Sequence, residues 1–101
     1  MNVSEKENPR EEAERLGFEV VYVPYEKIED YNACYRVKYK GEEIYPPAAD
    51  RLGIPMNEIW LSEKLKKFEK FILFHELREI KYRYAGHGVE KAHEKAVEDE
   101  K

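Results

Sequence analysis

The sequence predicts a single α+β domain: a small, mostly antiparallel sheet, a long central helix packed across it, and a C-terminal helix folded back on that helix. Three observations carry this reading. The chain has 101 residues, enough for one modest core and too few for two. From Ala33 to Lys40 the residues alternate, with Ala33, Tyr35, Val37 and Tyr39 on one face and Cys34, Arg36, Lys38 and Lys40 on the other, which is the period of a half-buried strand. From Glu63 to Tyr84 the apolar residues instead recur every three or four positions, as in a helix, and Gly86-His87-Gly88 breaks that run before a second one begins at Val89. Strands come early and helices gather late, so the class is α+β.

Residues 1–8 read as a polar tail, residues 9–62 as a helix followed by strands, and residues 63–98 as a helix pair. Asn8, Pro9 and Glu11 form a helix start: an N-cap, a proline at the first helical position and a carboxylate two residues further on. Gly17 closes that short helix after Leu16. Phe18 to Val23 is β-branched and aromatic, and Pro24 stops it. Gly41 turns the alternating strand toward Ile44 and Tyr45. Ala48 to Leu52 is a short helix ended by Gly53, Glu58 to Leu61 is another strand, and Ser62 caps the long helix.

Charged residues make up 40% of the chain, a bias common in proteins from hot environments. The formal net charge of −4 argues against a nucleic-acid binder. Lys64, Lys66, Lys67 and Lys70 are interleaved with Glu63 and Glu69, so the run reads as a solvated helix start. Cys34 is the lone cysteine, which excludes an internal disulfide and suits a reducing cytoplasm. The polar, acidic stretch from Met1 to Arg15 lacks the apolar core of a secretory signal, and the longest apolar run, Phe71 to Phe74, is far too short for a membrane span. The expectation is a cytoplasmic protein with no membrane partner; its oligomeric state is left open.

Placed at steps of about 100° along the long helix, Leu73, Leu77, Ile80 and Tyr84 share one side, an ordinary core face. Phe68, Phe71, Ile72, His75, Glu79 and Tyr82 share another. His75 and Glu79 therefore sit one turn apart in an apolar stripe, where a charge is costly unless it is paired or bound. On the last helix Val89, Ala92, Ala96 and Val97 form a similar stripe, with His93 at its i+4 position. Folding the second helix back on the first brings His93 toward His75 and Glu79. Two imidazoles and one carboxylate are a set that catalytic zinc sites use, with a fourth position left to water; the bland alternative is a hydrogen bond between i and i+4 neighbours. Of the remaining candidates, Trp60 reads as core and His87 as a loop residue.

His75-Glu76-Leu77-Arg78-Glu79 resembles the zincin metallopeptidase signature H-E-x-x-H, with Glu79 in place of the second histidine. The stretch from Glu58 to Ala96 also resembles a group of small uncharacterised zincin-like proteins that combine a strand like Glu58-Ile59-Trp60-Leu61, an H-E-x-x-E motif and an Ala-His pair like Ala92-His93. The resemblance implies a minimal zincin-like peptidase with His75, Glu79 and His93 as metal ligands and Glu76 as general base. It implies zinc, with iron or manganese also compatible with the donor set. It further implies a peptide or protein substrate held on an edge strand at residues 58–61, and an oxyanion steadied by Tyr82, Tyr84 or His87. The alternatives are a non-catalytic metal-binding module or an adaptor built on the same scaffold.

Overall fold

The computed structural model describes residues 8–28 and 31–99; the polar tail expected before Asn8 lies outside them. Helix α1 (Pro9–Arg15) starts at a capping box, in which the Asn8 side chain accepts from the Glu11 N–H while the Glu11 carboxylate accepts from the Asn8 N–H. Strand β1 (Glu19–Val23) follows. Beyond Pro24, where the sequence suggests only a stop, the chain makes a one-turn helix, α2 (Tyr25–Ile28), that buries Ile28. Strands β2 (Ala33–Tyr39) and β3 (Glu42–Ile44) form a hairpin around Lys40 (φ 50°) and Gly41 (φ 87°). Two successive positive φ angles match the right-handed twist of paired strands, and glycine takes such an angle without strain. Lys40 is thus the first residue of the turn, not the last of the strand. Helix α3 (Ala48–Leu52) and strand β4 (Glu58–Ser62) complete the first two thirds of the fold.

The sheet runs β1-β4-β2-β3, with β1 parallel to β4 and the other two pairings antiparallel. This mixed but mostly antiparallel sheet is the α+β arrangement the sequence predicts. One expectation fails. Residues 58–61 are not an edge strand, because Val21 pairs with Trp60 on one side and Cys34 pairs with it on the other. Strand addition there is closed off. Ile59, Trp60 and Leu61 are all buried, the run of apolar neighbours that a central strand covered on both faces requires.

Both sheet faces are indeed covered. On one, Tyr35, Val37, Ile59 and Leu61 pack against Leu73, Leu77 and Ile80 of the long helix, with Ala13 and Phe18 closing the edge. On the other, Cys34 and Trp60 pack with Ile28, Ala48, Ala49 and Ile54 of the two short helices and the turn after them. Cys34, expected on a polar strand face, is therefore buried. Only the far end of that face, at Arg36 and Lys38, keeps the polar character the alternation suggested. Burial first, and the nearby Glu76 and Glu79 charges second, push the Cys34 thiol up to about 12, so it stays protonated and unreactive.

The long helix is shorter than its periodicity implied. Ser62 caps its start, accepting from the Lys64 N–H at 3.3 Å, but residues Glu63–Phe68 wind as a 3-10 helix interrupted at Leu65 (φ −110°, ψ 20°). The α-helix proper, α4, spans Glu69–Tyr84. At its first residue Glu69 accepts two hydrogen bonds from the Arg10 guanidinium, at 3.0 and 2.8 Å, and a third from the Tyr22 hydroxyl. This latch ties α1 and β1 to the start of α4. Gly86 (φ 108°) turns the chain out of α4, and α5 (Val89–Asp99) packs back on it through Ala92 and Ala96. No helix among the described residues is long and apolar enough to cross a membrane.

The latch has a defined pH window. The Arg10 hydrogen bonds hold the Glu69 carboxyl below its ordinary value of 4.5, so its contribution is present above that value and is lost as pH falls through the lowered pKa. Burial, then Glu69, pushes the Tyr22 phenol from 10.0 up to about 12, so its contribution is lost as pH rises across that interval. Glu69→Gln should lower unfolding free energy by about 1.5–3 kcal/mol near neutral pH. Denaturant titrations of parent and variant should show that difference shrinking at both ends of the range; a constant difference would rule out an ionic latch.

Candidate metal centre

One turn of α4 places His75 and Glu79 side by side, and both are buried. Ala92 and Ala96 carry almost no side chain, so α5 approaches α4 closely enough for His93 to reach them. His93 Nδ1 lies 3.1 Å from His75 Nε2 and 3.1 Å from Glu79 Oε2, and the His75–Glu79 edge of the triangle is 3.6 Å. The three residues expected as ligands are thus brought together, and they form a cluster able to hold a metal ion.

The triangle can be tested against an ion's needs. A tetrahedral zinc with bonds of about 2.0–2.1 Å sets its ligand atoms about 3.3 Å apart, close to the edges observed. The circle through the three atoms has a radius of about 1.9 Å, so all three would lie within bonding reach of a single zinc ion. The chemistry of the donors is compatible with this: each imidazole nitrogen offers a lone pair when the proton sits on the other ring nitrogen, and the carboxylate offers a third donor atom.

Glu79 is held as an anion. Burial alone would raise its pKa, but hydrogen bonds from His75, Tyr35 and His93 outweigh it and leave the carboxyl below its usual range. Tyr35 is the contact that sequence reasoning missed: its hydroxyl donates to Glu79 Oε1 at 2.8 Å, leaving Oε2 for the two imidazoles. Burial, and then the Glu79 and Glu76 charges, push the Tyr35 phenol far above its ordinary range, so it remains a donor throughout. A signal was present in the sequence. Tyr35 lies on the core face of an alternating strand, and a buried tyrosine needs a partner for its hydroxyl.

Other expectations need correction. The side chain of His93 is 58% exposed, so it stands at the rim and not within a buried stripe. Its helix is anchored by the alanines on either side of it. Phe68 and Phe71, assigned to the stripe of His75, point largely into solvent. Glu76, by contrast, is buried on the same helix as His75 and Glu79 and lines the same cavity. Tyr82, Tyr84 and His87 stay away from the centre: Tyr82 donates to Asp99, His87 packs on the Tyr82 ring, and Tyr84 packs edge-on against Tyr39.

A cavity of about 730 Å³ opens onto the cluster, and Glu76 lines it together with His75, Glu79 and His93. The opposite wall is formed by residues 31–35. A strand meeting a cavity with one face would contribute alternate residues only; β2 contributes three in succession, Ala33, Cys34 and Tyr35, and so presents its edge. Pairing explains why that edge is open. β3 covers only Val37–Tyr39 of β2, and continuing its register would set Pro46 and Pro47, which have no N–H, opposite Tyr35 and Cys34. Among the described residues, the open edge beside the cluster is therefore the start of β2, a position the sequence analysis had given to residues 58–61.

Comparison with protein-family models, curated proteins and solved structures finds no match to this chain.

Tyr35→Phe removes one hydroxyl and leaves the buried Glu79 short of a donor. It should destabilise the fold by about 1–3 kcal/mol. Chemical denaturation of the variant measures this directly, and an unchanged midpoint would mean that Glu79 is held without help from the sheet.

Proposed function

We propose that the chain is a metal-dependent hydrolase, a minimal zincin-like peptidase in which His75, Glu79 and His93 hold a divalent ion, with zinc the best fit. The observation that carries this reading is the ligand triangle, whose edges of 3.1, 3.1 and 3.6 Å suit a tetrahedral ion and which lies in the wall of a cavity. Such an ion supplies Lewis acidity toward a carbonyl and lowers the pKa of water.

The chain's own residues supply the rest. Glu76 is one residue from His75 and lines the same cavity, so it is assigned the role of general base. Its carboxylate takes a proton from water as the water oxygen bonds to the carbonyl carbon, then delivers that proton to the amine nitrogen as the carbon–nitrogen bond breaks. Tyr35 keeps Glu79 oriented and anionic. An extended peptide would lie along the open edge of β2: Asn32 and Arg36 turn their carbonyls toward β4, so by alternation Ala33 and Tyr35, which line the cavity, turn their backbone groups away from it. The resemblance of His75 to Glu79 and of Ala92-His93 to zincin-like sequences supports the same assignment.

Elemental analysis is the first test. The parent should carry about one zinc or iron per chain, and the triple variant His75→Ala, Glu79→Ala, His93→Ala should carry none. Near-zero metal in both after incubation with zinc would remove the metal reading. Glu76→Gln should keep its metal and lose at least about 100-fold in cleavage of a quenched-peptide library. Metal in the parent with no cleavage of any peptide would instead assign the scaffold to non-catalytic metal binding.

A further inference from the structure

The lysine run at the start of the long helix has no role in the proposed site, and its surroundings are unusual. Phe68, Phe71 and Phe74 follow at i, i+3 and i+6 and are 48%, 66% and 38% exposed, half of the large apolar side chains that the described residues leave in solvent. A compact domain of this size rarely presents three phenylalanines in a row without a use for them. Lys67 and Lys70 stand exposed between them, and Lys64 lies 3.8 Å over the ring of Tyr25, itself exposed. Of the acidic residues in this stretch, Glu69 is occupied by Arg10 and Tyr22, which leaves Glu63 at the far end. The chain carries −4 overall, so this face is cationic against its own background.

We infer that the exposed face of residues 64–74 is a docking surface for a protein segment that is both apolar and acidic. Charge complementarity supplies the acidic part: carboxylates on the partner meet Lys64, Lys67 and Lys70. The three phenylalanines supply the apolar part. Continuity with the cavity sets the direction. Phe71 belongs both to this face and to the cavity wall, and Tyr31, 42% exposed, lines the same cavity. A segment docked on the phenylalanines is therefore held at the entrance to the metal cluster. A nucleic acid would share the negative charge but not the fit. The α5 wall of the cavity carries Glu90 and Glu94 beside Val89 and Val97, which repels a continuous phosphate chain and accepts aliphatic side chains. The inference does not depend on catalysis, because the surface would serve a substrate or a non-catalytic partner equally.

Two fluorescent helical peptides of equal length and leucine content, one with glutamate and one with lysine on its polar face, test the inference against the full chain by anisotropy. The glutamate probe should bind at least about tenfold more tightly, with that advantage shrinking at high salt. The double variant Phe68→Ser, Phe74→Ser should weaken it by about tenfold or more. Lys67→Glu with Lys70→Glu should reverse the preference between probes. Both double variants should retain the parent's metal content and melting temperature, which separates failure of the surface from failure of the metal centre. Equal binding of the two probes, or variants that bind as the parent does, would overturn the inference. So would displacement of the glutamate probe by single-stranded DNA more effectively than by the unlabelled glutamate peptide. A dimer that dissociates in the phenylalanine variant, with no probe bound by the parent, would also overturn it.

Discussion

The buried carboxylate of Glu79 constrains three elements of the fold at once. An ionised group taken out of water must be met by donors or by a cation, or its burial opposes folding. Here β2 contributes Tyr35, α4 contributes His75 and α5 contributes His93. Removing any of these leaves a charge short of a partner inside the protein. The centre therefore fixes how the last helix meets the long one, and how both meet the sheet.

The supports on the two sides of this centre are unequal. Helix α4 is held at its first residue by the Glu69 latch, along its length by the sheet core, and near its end by the ion pair of Lys81 with Glu12 and by Tyr39 against Tyr84. Helix α5 buries only two alanines and is otherwise tied by His93 and by Asp99, which accepts from Arg78 and Tyr82. His75, Glu76 and Glu79 thus stand on a well-supported helix, while His93, the third member of the cluster, comes from a lightly anchored element at the rim. A bound ion would strengthen the weaker side most, since it replaces a shared-proton contact between His75 and His93 with two bonds to one centre.

The sheet has a related asymmetry. Its central strand is saturated by neighbours on both sides, and the hairpin that could have covered all of β2 stops short at a pair of prolines. Among the described residues no strand pairs with the start of β2 on the side away from β4, where it borders the cavity that the His75, Glu79 and His93 cluster also lines. The same region carries the exposed phenylalanines. Apolar surface, an open strand edge and the cluster of ionisable side chains are gathered on one side of the molecule, while the opposite face of the sheet is sealed by α2 and α3.

The sequence by itself determined most of the local elements and which three side chains would cluster. The capping box at Asn8, the alternation of β2, the turn at Gly41 and the i, i+4 spacing of His75 and Glu79 are readable because they depend on neighbours within a few positions, and His93 was placed beside them by the glycine break that folds the next helix back. Strand order could not be read that way. Glu58 to Leu61 looks the same in sequence whether it borders solvent or lies between two partners, and only the parallel return of β1 decided the matter. Tyr35 belongs to the site for a similar reason, since its partner lies 44 residues further on. The exposure of His93 and of Phe71 was likewise decided by which neighbours cover them in the folded chain. Periodicity assigns a side chain to a helical face, and tertiary packing decides whether that face is covered.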